Sequence, residues 1–203
     1  MLRLKLKYCW MKYYRYGFAE TANLIIARNR GINVPRVYGY GRIYGPFGLI
    51  NKDMVILEDL AHLTSVDELL RLNRGDDKKC AKILSQTIPV FVSLHKAKCN
   101  IVYILSDAIM FSGEDSEQDA FVLDFEYARF YDQPSLEVLM YEAAYFAVSC
   151  PDWLAHRIIN DWVTKLLDAV GIRDNAGRKK LMERFKYYFH IPYMSHKESV
   201  EIY

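Results

Sequence analysis

The stretch Ala120-Phe121-Val122-Leu123-Asp124-Phe125-Glu126-Tyr127-Ala128 decides how the rest of this 203-residue chain is interpreted. A short apolar run that ends in acidic residues is typical of a strand followed by a turn. An aspartate at the end of a strand can also simply cap that turn. The segment therefore predicts a strand that ends at Asp124, followed by an acidic turn that contains Glu126.

The first sixty residues predict strands with a single helix among them. Alternating apolar and basic residues in Leu2–Lys7 are typical of a half-exposed strand. The apolar spacing from Phe18 to Arg30 favours a helix, and Gly31 after it can take the left-handed conformation that ends helices. Two more strands are predicted at Val37–Tyr44 and Met54–Leu57, with a turn containing glycine and proline between them.

The residues from Thr64 onward predict mostly helices. Ser65, with Glu68 three positions later, forms a capping-box pattern that marks the start of a helix. Two short extended segments are predicted within this region, at Ile101–Phe111 and Ala120–Phe125. The helices are predicted after Ser65 and at Asp76–Lys98, Leu136–Cys150, Asp152–Val170 and Gly177–Phe189.

Composition excludes several classes of protein. With 52% hydrophobic and 26% charged residues, the chain is globular rather than disordered. A net charge of +2 indicates no particular partner. The four cysteines form no CxxC pair and have no histidine at zinc-ligand spacing, which argues against a zinc site. Scattered single cysteines instead suit a reducing compartment.

No segment of the sequence predicts export or a membrane span. Arg3 and Lys5 interrupt the apolar residues at the N-terminus, so we expect no signal peptide. The most apolar run, Leu136–Ala155, contains three carboxylates, and a membrane span tolerates few charges. We therefore expect a cytoplasmic protein without a transmembrane segment, for which peripheral contact with a membrane stays open.

The first fifteen residues form a basic and aromatic segment with five cations. Such a segment can meet phosphates, nucleic acid or a membrane surface. It is equally compatible with a solvated strand edge and the start of a helix, which is the interpretation we favour. We accordingly expect no nucleic acid partner.

Taken in order, these segments resemble the protein-kinase-like superfamily. The closest resemblance is to the bacterial lipopolysaccharide kinases of the Kdo/WaaP type, and the aminoglycoside and choline kinase branch is the second choice. The stretch Ala120–Ala128 resembles the motif hhIDFExA of that family, where h is an apolar residue. The resemblance implies that the cofactors are ATP and Mg²⁺, and that Asp124 binds the magnesium that bridges the ATP phosphates.

A second motif supports the same resemblance. The residues from Glu20 to Pro35 resemble the pattern E..NL......GI.VP. In the family this glutamate holds a strand lysine that orients the phosphates of the nucleotide. The resemblance implies that Glu20 and Lys5 form this pair. Lys7 is the other candidate, because alternation along a strand places both lysines on the same face.

The resemblance also implies an architecture, an α+β protein-kinase-like fold of two lobes. We expect a truncated N-lobe of a few antiparallel strands and one helix at residues 1–61, and a mainly helical C-lobe at residues 62–203. The connector Ile56–Leu60 resembles the hinge of the family, whose backbone at Glu58 and Leu60 would bind adenine. The glycine-rich phosphate loop, which precedes the lysine strand in the family, has no counterpart in this sequence.

The sharpest departure from the family follows Leu94–Ala97, which resembles the LH.A segment before the catalytic loop. Where the loop usually reads HxDLxxxNIL, Ile101 replaces the histidine, Tyr103 the catalytic aspartate and Ala108 the metal-binding asparagine. A tyrosine has an ordinary pKa near ~10 and is a poor base at neutral pH. Asp107 would reach the asparagine position by a slip of one residue, but we expect it to be a solvent-facing loop residue.

Three hypotheses for function follow. The first is a lipopolysaccharide-kinase-like phosphotransferase, which moves a phosphate from ATP to a hydroxyl of a sugar or a lipopolysaccharide-core acceptor and has a degenerate catalytic loop containing Tyr103. The second is a pseudokinase that binds a partner without catalysis. The third, a binder of nucleic acid or membranes, depends only on the basic residues of the N-terminus.

Overall fold

The computed structural model describes residues 16–48, 50–112 and 120–191. The predicted strand Leu2–Lys7, with both candidate lysines, lies outside the described residues. Within them the helices are α1 (Tyr16–Asn29), α2 (Val66–Leu72), α3 (Asp77–Lys96), α4 (Leu136–Ser149), α5 (His156–Ala169) and α6 (Asn175–Phe189). The strands are β1 (Val37–Tyr44), β2 (Ile50–Leu57), β3 (Thr64–Ser65), β4 (Cys99–Asn100), β5 (Ile109–Phe111), β6 (Phe121–Val122) and β7 (Arg129–Phe130), with 3-10 turns at Pro46–Gly48 and Phe125–Tyr127.

Strands β1 and β2 form an antiparallel hairpin that packs against α1. Tyr40 lies opposite Val55, and Arg42 lies opposite Asp53. Arg42 and Asp53 also form an ion pair at 3.4 Å. A Cβ atom on Gly17, at the start of α1, would lie 3.0 Å from the Asp53 Cβ and 3.4 Å from the ring of Tyr40. The absence of a side chain at Gly17 therefore lets the helix approach the sheet closely.

The ends of the helices follow the signals in the sequence. The Ser65 hydroxyl accepts a hydrogen bond from the amide of Glu68 at 3.2 Å, which confirms the predicted capping box at the start of α2. Asp76 caps α3 in the same way, by accepting from the amide of Lys79 at 3.0 Å. Gly31 follows α1 with a φ of 83°, the left-handed conformation expected there.

Three aromatic rings from α3, α4 and α5 form the centre of the helical part. Phe91 lies edge-on to Phe146 at 5.3 Å and to Trp162 at 5.2 Å between ring centroids. The indole Nε1 of Trp162 donates to the buried hydroxyl of Thr87 at 3.1 Å. Because the rings are fully buried and the indole proton has an acceptor, this cluster fixes the three helices relative to one another.

Two pairs of short strands bring two loops side by side. β5 pairs with β6, and β4 pairs with β7, both antiparallel. The first loop, residues 101–108, runs from β4 to β5, and the second, residues 123–128, runs from β6 to β7. The two loops are therefore held together at both ends. They contain the predicted catalytic position Tyr103 and the predicted metal ligand Asp124.

The α+β architecture confirms the prediction from the sequence, but both segments predicted to be extended in the helical region are strands only in part. The predicted segment Ala120–Phe125 is a strand only at Phe121–Val122. The predicted extended segment Ile101–Phe111 is a strand only at Ile109–Phe111. Val102 has a φ of 78°, a left-handed conformation that a strand cannot contain. None of the described helices is both long enough and apolar enough to cross a bilayer. The division into lobes at residues 61 and 62 stays a prediction.

Candidate functional site

Two carboxylates lie just beyond the paired strands β5 and β6. Ile109 pairs with Val122, and Asp107 and Asp124 each lie two residues beyond this pair. Asp107 is exposed, as expected for a loop residue. It also lies close enough to Asp124 for its charge to raise the Asp124 pKa, so the structure brings it into the site.

The turn that carries Asp124 is fixed by its own backbone and by α1. Asp124 has φ 64° and ψ 50°, a left-handed conformation that aspartate tolerates better than most residues with side chains. From α1, the amide nitrogen Nδ2 of Asn23 donates to the carbonyl of Phe125 at 2.7 Å and to that of Ala128 at 3.2 Å. Because Glu20 is one turn from Asn23 on the same helix, these bonds also set its distance from Asp124.

Four carboxylates act on one another at this position, and we call Glu20, Asp107, Asp124 and Glu126 the acidic cluster. Partial burial, then the charges of Asp107 and Glu126, raise the pKa of Asp124. Burial, then Glu126 and Asp124, raise the pKa of Glu20. In the part of the chain that the structure describes, the ion pairs formed by basic side chains involve other carboxylates. The negative charge of the cluster is therefore uncompensated by described residues.

The acidic cluster fits a magnesium ion that arrives with phosphates better than one held by protein alone. Among the described residues, no three histidine, cysteine, aspartate or glutamate side chains converge on one metal position. Mg²⁺ is commonly bound by one or two carboxylates, with phosphates and water as the other ligands. Asp107 and Asp124, which are close enough for their charges to interact, supply such carboxylates, and negative charge that no described residue compensates favours a cation.

Tyr103, predicted to stand at the position of the catalytic aspartate, lies in an aromatic environment. Its ring centroid is 6.0 Å from that of Tyr127, in the turn after Asp124, and 5.3 Å from that of Tyr145 on α4. Burial raises the pKa of the Tyr103 phenol above its ordinary value of 10.0. The phenol is therefore neutral at physiological pH and a weaker candidate for a base than a free tyrosine.

Ala108, predicted to stand at the position of the metal-binding asparagine, is buried and offers no side-chain ligand. Its carbonyl accepts a hydrogen bond from the amide of Leu123 at 2.9 Å. This bond extends the pairing of β5 with β6 toward Asp107 and Asp124. Ala108 thus contributes to the position of the two aspartates through its main chain.

The peptide units beside Tyr103 are held in a strained conformation by buried polar groups. Val102 is β-branched and has φ 78°, which is unfavourable for such a residue. Its amide donates to Oδ1 of Asn100 at 2.8 Å. Its carbonyl accepts from the hydroxyl of Tyr141 at 2.8 Å. Both partners are buried, so the strain persists because the surroundings determine both hydrogen bonds.

Glu142 on α4 is the third anchor of this loop. Its Oε1 accepts from the amide of Ile101 at 2.7 Å, and the side chain is 1% exposed. Burial raises the pKa of Glu142 to about 8, against a smaller opposite effect of the Ile101 hydrogen bond. The carboxyl is therefore largely protonated at neutral pH, which lowers the cost of burying it.

The predicted hinge residues lie at the end of β2. Glu58 is half-buried, its Oε2 accepts from the amide of Arg36 at 3.0 Å, and its own amide donates to the Arg36 carbonyl at 2.8 Å. The Leu60 carbonyl accepts from the amide of Leu63 at 2.9 Å. Contact with adenine would therefore need the carbonyl of Glu58 and the amide of Leu60.

The structure brings together some of the predicted site residues and adds others. Glu20 and Asp124 lie in one cluster and Tyr103 in the adjacent loop, whereas Lys5 lies outside the described residues. Asn23 and Glu142 were not predicted as site residues. Glu142 did carry a signal, because a carboxylate in the middle of an apolar helix needs a specific partner.

Comparisons with known proteins agree with this geometry at the level of the fold. No family model and no curated protein matches the chain. Among solved structures, the chain is similar to WaaP in complex with acyl carrier protein, with a TM-score of 0.59 and 14% sequence identity over 91% of this chain and 75% of that chain. At this identity the similarity shows the fold and not the family or activity. The chain has a kinase-like α+β fold, in which the acidic cluster lies where two loops meet.

Proposed function

We propose that this chain is a lipopolysaccharide-kinase-like phosphotransferase that binds ATP with Mg²⁺ and transfers phosphate slowly to a sugar hydroxyl. The observation that carries the proposal is the proximity of Asp107 and Asp124, which each lie two residues beyond the Ile109–Val122 pair and interact through their charges, within a kinase-like fold. Repulsion between two neighbouring carboxylates without a described basic partner does not stabilise the fold. A cation that binds between them makes the arrangement favourable.

The residues of the cluster take distinct roles in this proposal. Asp124 is the main ligand of the metal, and Asp107 supplies the second carboxylate that the buried Ala108 cannot. Glu20 pairs with Lys5 to hold the phosphates, and the backbone of Glu58 and Leu60 holds adenine. When bound, the magnesium neutralises charge on the phosphates of the nucleotide. Asn23 keeps α1 and the Asp124 turn at a fixed separation.

The slow rate follows from Tyr103. A positioned base contributes about 10²–10⁴-fold to such reactions, and a half-buried phenol with a raised pKa cannot supply it. The same observation favours a second candidate function, a pseudokinase that binds the nucleotide without transfer. We further propose that the acceptor is a sugar or the lipopolysaccharide core and that the protein works in the cytoplasm, with peripheral contact to a membrane.

Nucleotide binding is the first test. Calorimetric titration of the full chain with ATP should show binding that requires Mg²⁺, and Asp124→Asn should weaken it by about tenfold or more, because a charge-assisted ligand is lost. Asp107→Asn should weaken it less. Asp161→Asn is the matched control, since Asp161 is an exposed carboxylate on α5 away from the cluster. Absence of magnesium-dependent binding in the unmodified chain would remove the basis of the proposal.

Transfer is the second test and separates the two candidates. Incubation with labelled ATP and lipopolysaccharide-core sugars should give a slow phosphorylated product that disappears in Asp124→Asn. Magnesium-dependent binding without any product would instead establish the pseudokinase.

A further inference from the structure

We propose that the groove between α5 and α6 binds a small amphipathic anion, with one aromatic ring and one phosphate or carboxylate group. The groove shares no residue with the acidic cluster, and its assignment does not depend on kinase activity. It has a volume of about 280 Å³ and is lined by His156, Ile159, Asn160, Phe185, Lys186, Phe189 and His190.

The floor of the groove is apolar and aromatic. Ile159 and Phe185 are buried, and Phe189 is half-buried. The rings of Phe185 and Phe189 have centroids 5.8 Å apart at an angle of 34°. A flat apolar group could lie against this surface and gain the hydrophobic and edge contacts typical of aromatic side chains.

The rim of the groove consists of hydrogen-bond donors. His156, Asn160, Lys186 and His190 are all exposed. Both imidazoles contact the ring of Phe189, with centroid distances of 5.9 Å for His156 and 5.5 Å for His190. Donors of the rim therefore lie next to a ring of the floor. A single small ligand could place its apolar part on the floor and its anionic group against the rim.

The charge of the groove selects an anion. Among the described residues, its lining contains a lysine and two histidines but no carboxylate. The first turn of α5, which begins at His156, has no acidic residue, and Ala155 before it provides no side-chain cap. The positive end of the α5 dipole therefore adds to the field of Lys186. Arg157 is not part of this set, because it forms an ion pair with Asp77.

The volume limits the size of the ligand. Pockets for drug-sized molecules measure about 300–1,000 Å³, so a groove at the lower limit suits one ring with one anionic group. Phenyl phosphate is a probe with both parts. Phenol and inorganic phosphate each supply one part and serve as matched controls.

The test is a titration of the full chain followed by ¹H–¹⁵N NMR. Phenyl phosphate should give saturable shifts at residues 156–160 and 185–190, whereas phenol and inorganic phosphate should bind at least about tenfold more weakly. Lys186→Met should weaken binding by about tenfold, the effect of losing one charge-assisted hydrogen bond. Asn160→Asp should abolish it, because it introduces a carboxylate into the rim.

Lys179→Met is the control variant, since Lys179 is an exposed lysine of the same helix outside the groove. It should bind phenyl phosphate as the unmodified chain does, and the circular dichroism of all three variants should confirm that they fold. The proposal is overturned if no saturable shifts occur at the groove. It is equally overturned if phenol binds as well as phenyl phosphate, or if Lys179→Met and Lys186→Met lose binding equally.

Discussion

The loop at residues 123–128 and the loop at residues 101–108 lie side by side but have opposite characters. The first presents Asp124 and Glu126 in the acidic cluster, whose charge no described basic residue compensates. The second presents Tyr103 among aromatic rings and is held by buried hydrogen bonds to a strained peptide. The comparison teaches that negative charge and a rigidly held backbone can belong to different loops of one site.

The largest expected effect is on the rate of ATP hydrolysis, when a carboxylate is introduced into the loop at residues 101–108. Tyr103→Asp should increase the rate of ATP hydrolysis to ADP by about 10²-fold or more, because it restores a carboxylate at the position of the base. Hydrolysis is measured by ADP release with Mg²⁺ present and needs no knowledge of the acceptor. Tyr103→Asn is the control, as it removes the ring without adding a base. Equal rates in the two variants would show that the loop is not aligned for catalysis.

The anchoring of the second loop is tested by Glu142→Ala. The substitution leaves the buried amide of Ile101 without its acceptor and removes packing, so the free energy of unfolding should fall by about 2–4 kcal/mol. Urea denaturation followed by circular dichroism measures this change. Glu142→Gln keeps an acceptor oxygen and should cost less than half as much. An equal loss of unfolding free energy in both variants would mean that the hydrogen bond to Ile101 is not the source of the stabilisation.

The same residue should make stability depend on pH. The pKa of Glu142 is raised to about 8 in the folded protein from 4.5, so the unfolded chain ionises first as the pH rises. Below 4.5 both states are protonated, and between 4.5 and about 8 the free energy of unfolding should fall by up to ~1.4 kcal/mol per pH unit. Denaturation at pH 5 and pH 8 should show a smaller fall in Glu142→Gln. An unchanged difference would assign the dependence to other groups.

The smallest expected effect is the change in stability when the loop at residues 123–128 loses one charge. Asp124→Asn removes repulsion with Asp107 and Glu126 and keeps a residue that tolerates the left-handed backbone. Without metal or nucleotide, the melting temperature should therefore rise slightly, with a gain in free energy of unfolding of about 0.5–1 kcal/mol. The gain should shrink as salt is added, because screening weakens the repulsion in the parent. A loss of stability would show that Asp124 is structural.

Local patterns in the sequence were sufficient for most of the fold. The end of α1 and the start of α2 follow from apolar spacing and from the signals at Gly31 and Ser65, because nearby residues hydrogen-bond to the free backbone groups at helix ends. The loop beside Tyr103 was interpreted as extended and is not. Its conformation depends on Tyr141 and Glu142, about forty residues away in the sequence, and no local pattern carries that information.

The sequence by itself determined which residues carry charge and where strands and helices begin. It identified Asp124 and Glu20 as candidates, and its resemblance to the family implied that Tyr103 and Ala108 replace the usual catalytic-loop residues. Only the tertiary structure brought Asp107 close to Asp124 and tied α1 to the same turn through Asn23. The physical reason is that electrostatic interaction depends on distance in space, and strand pairing across a turn sets that distance.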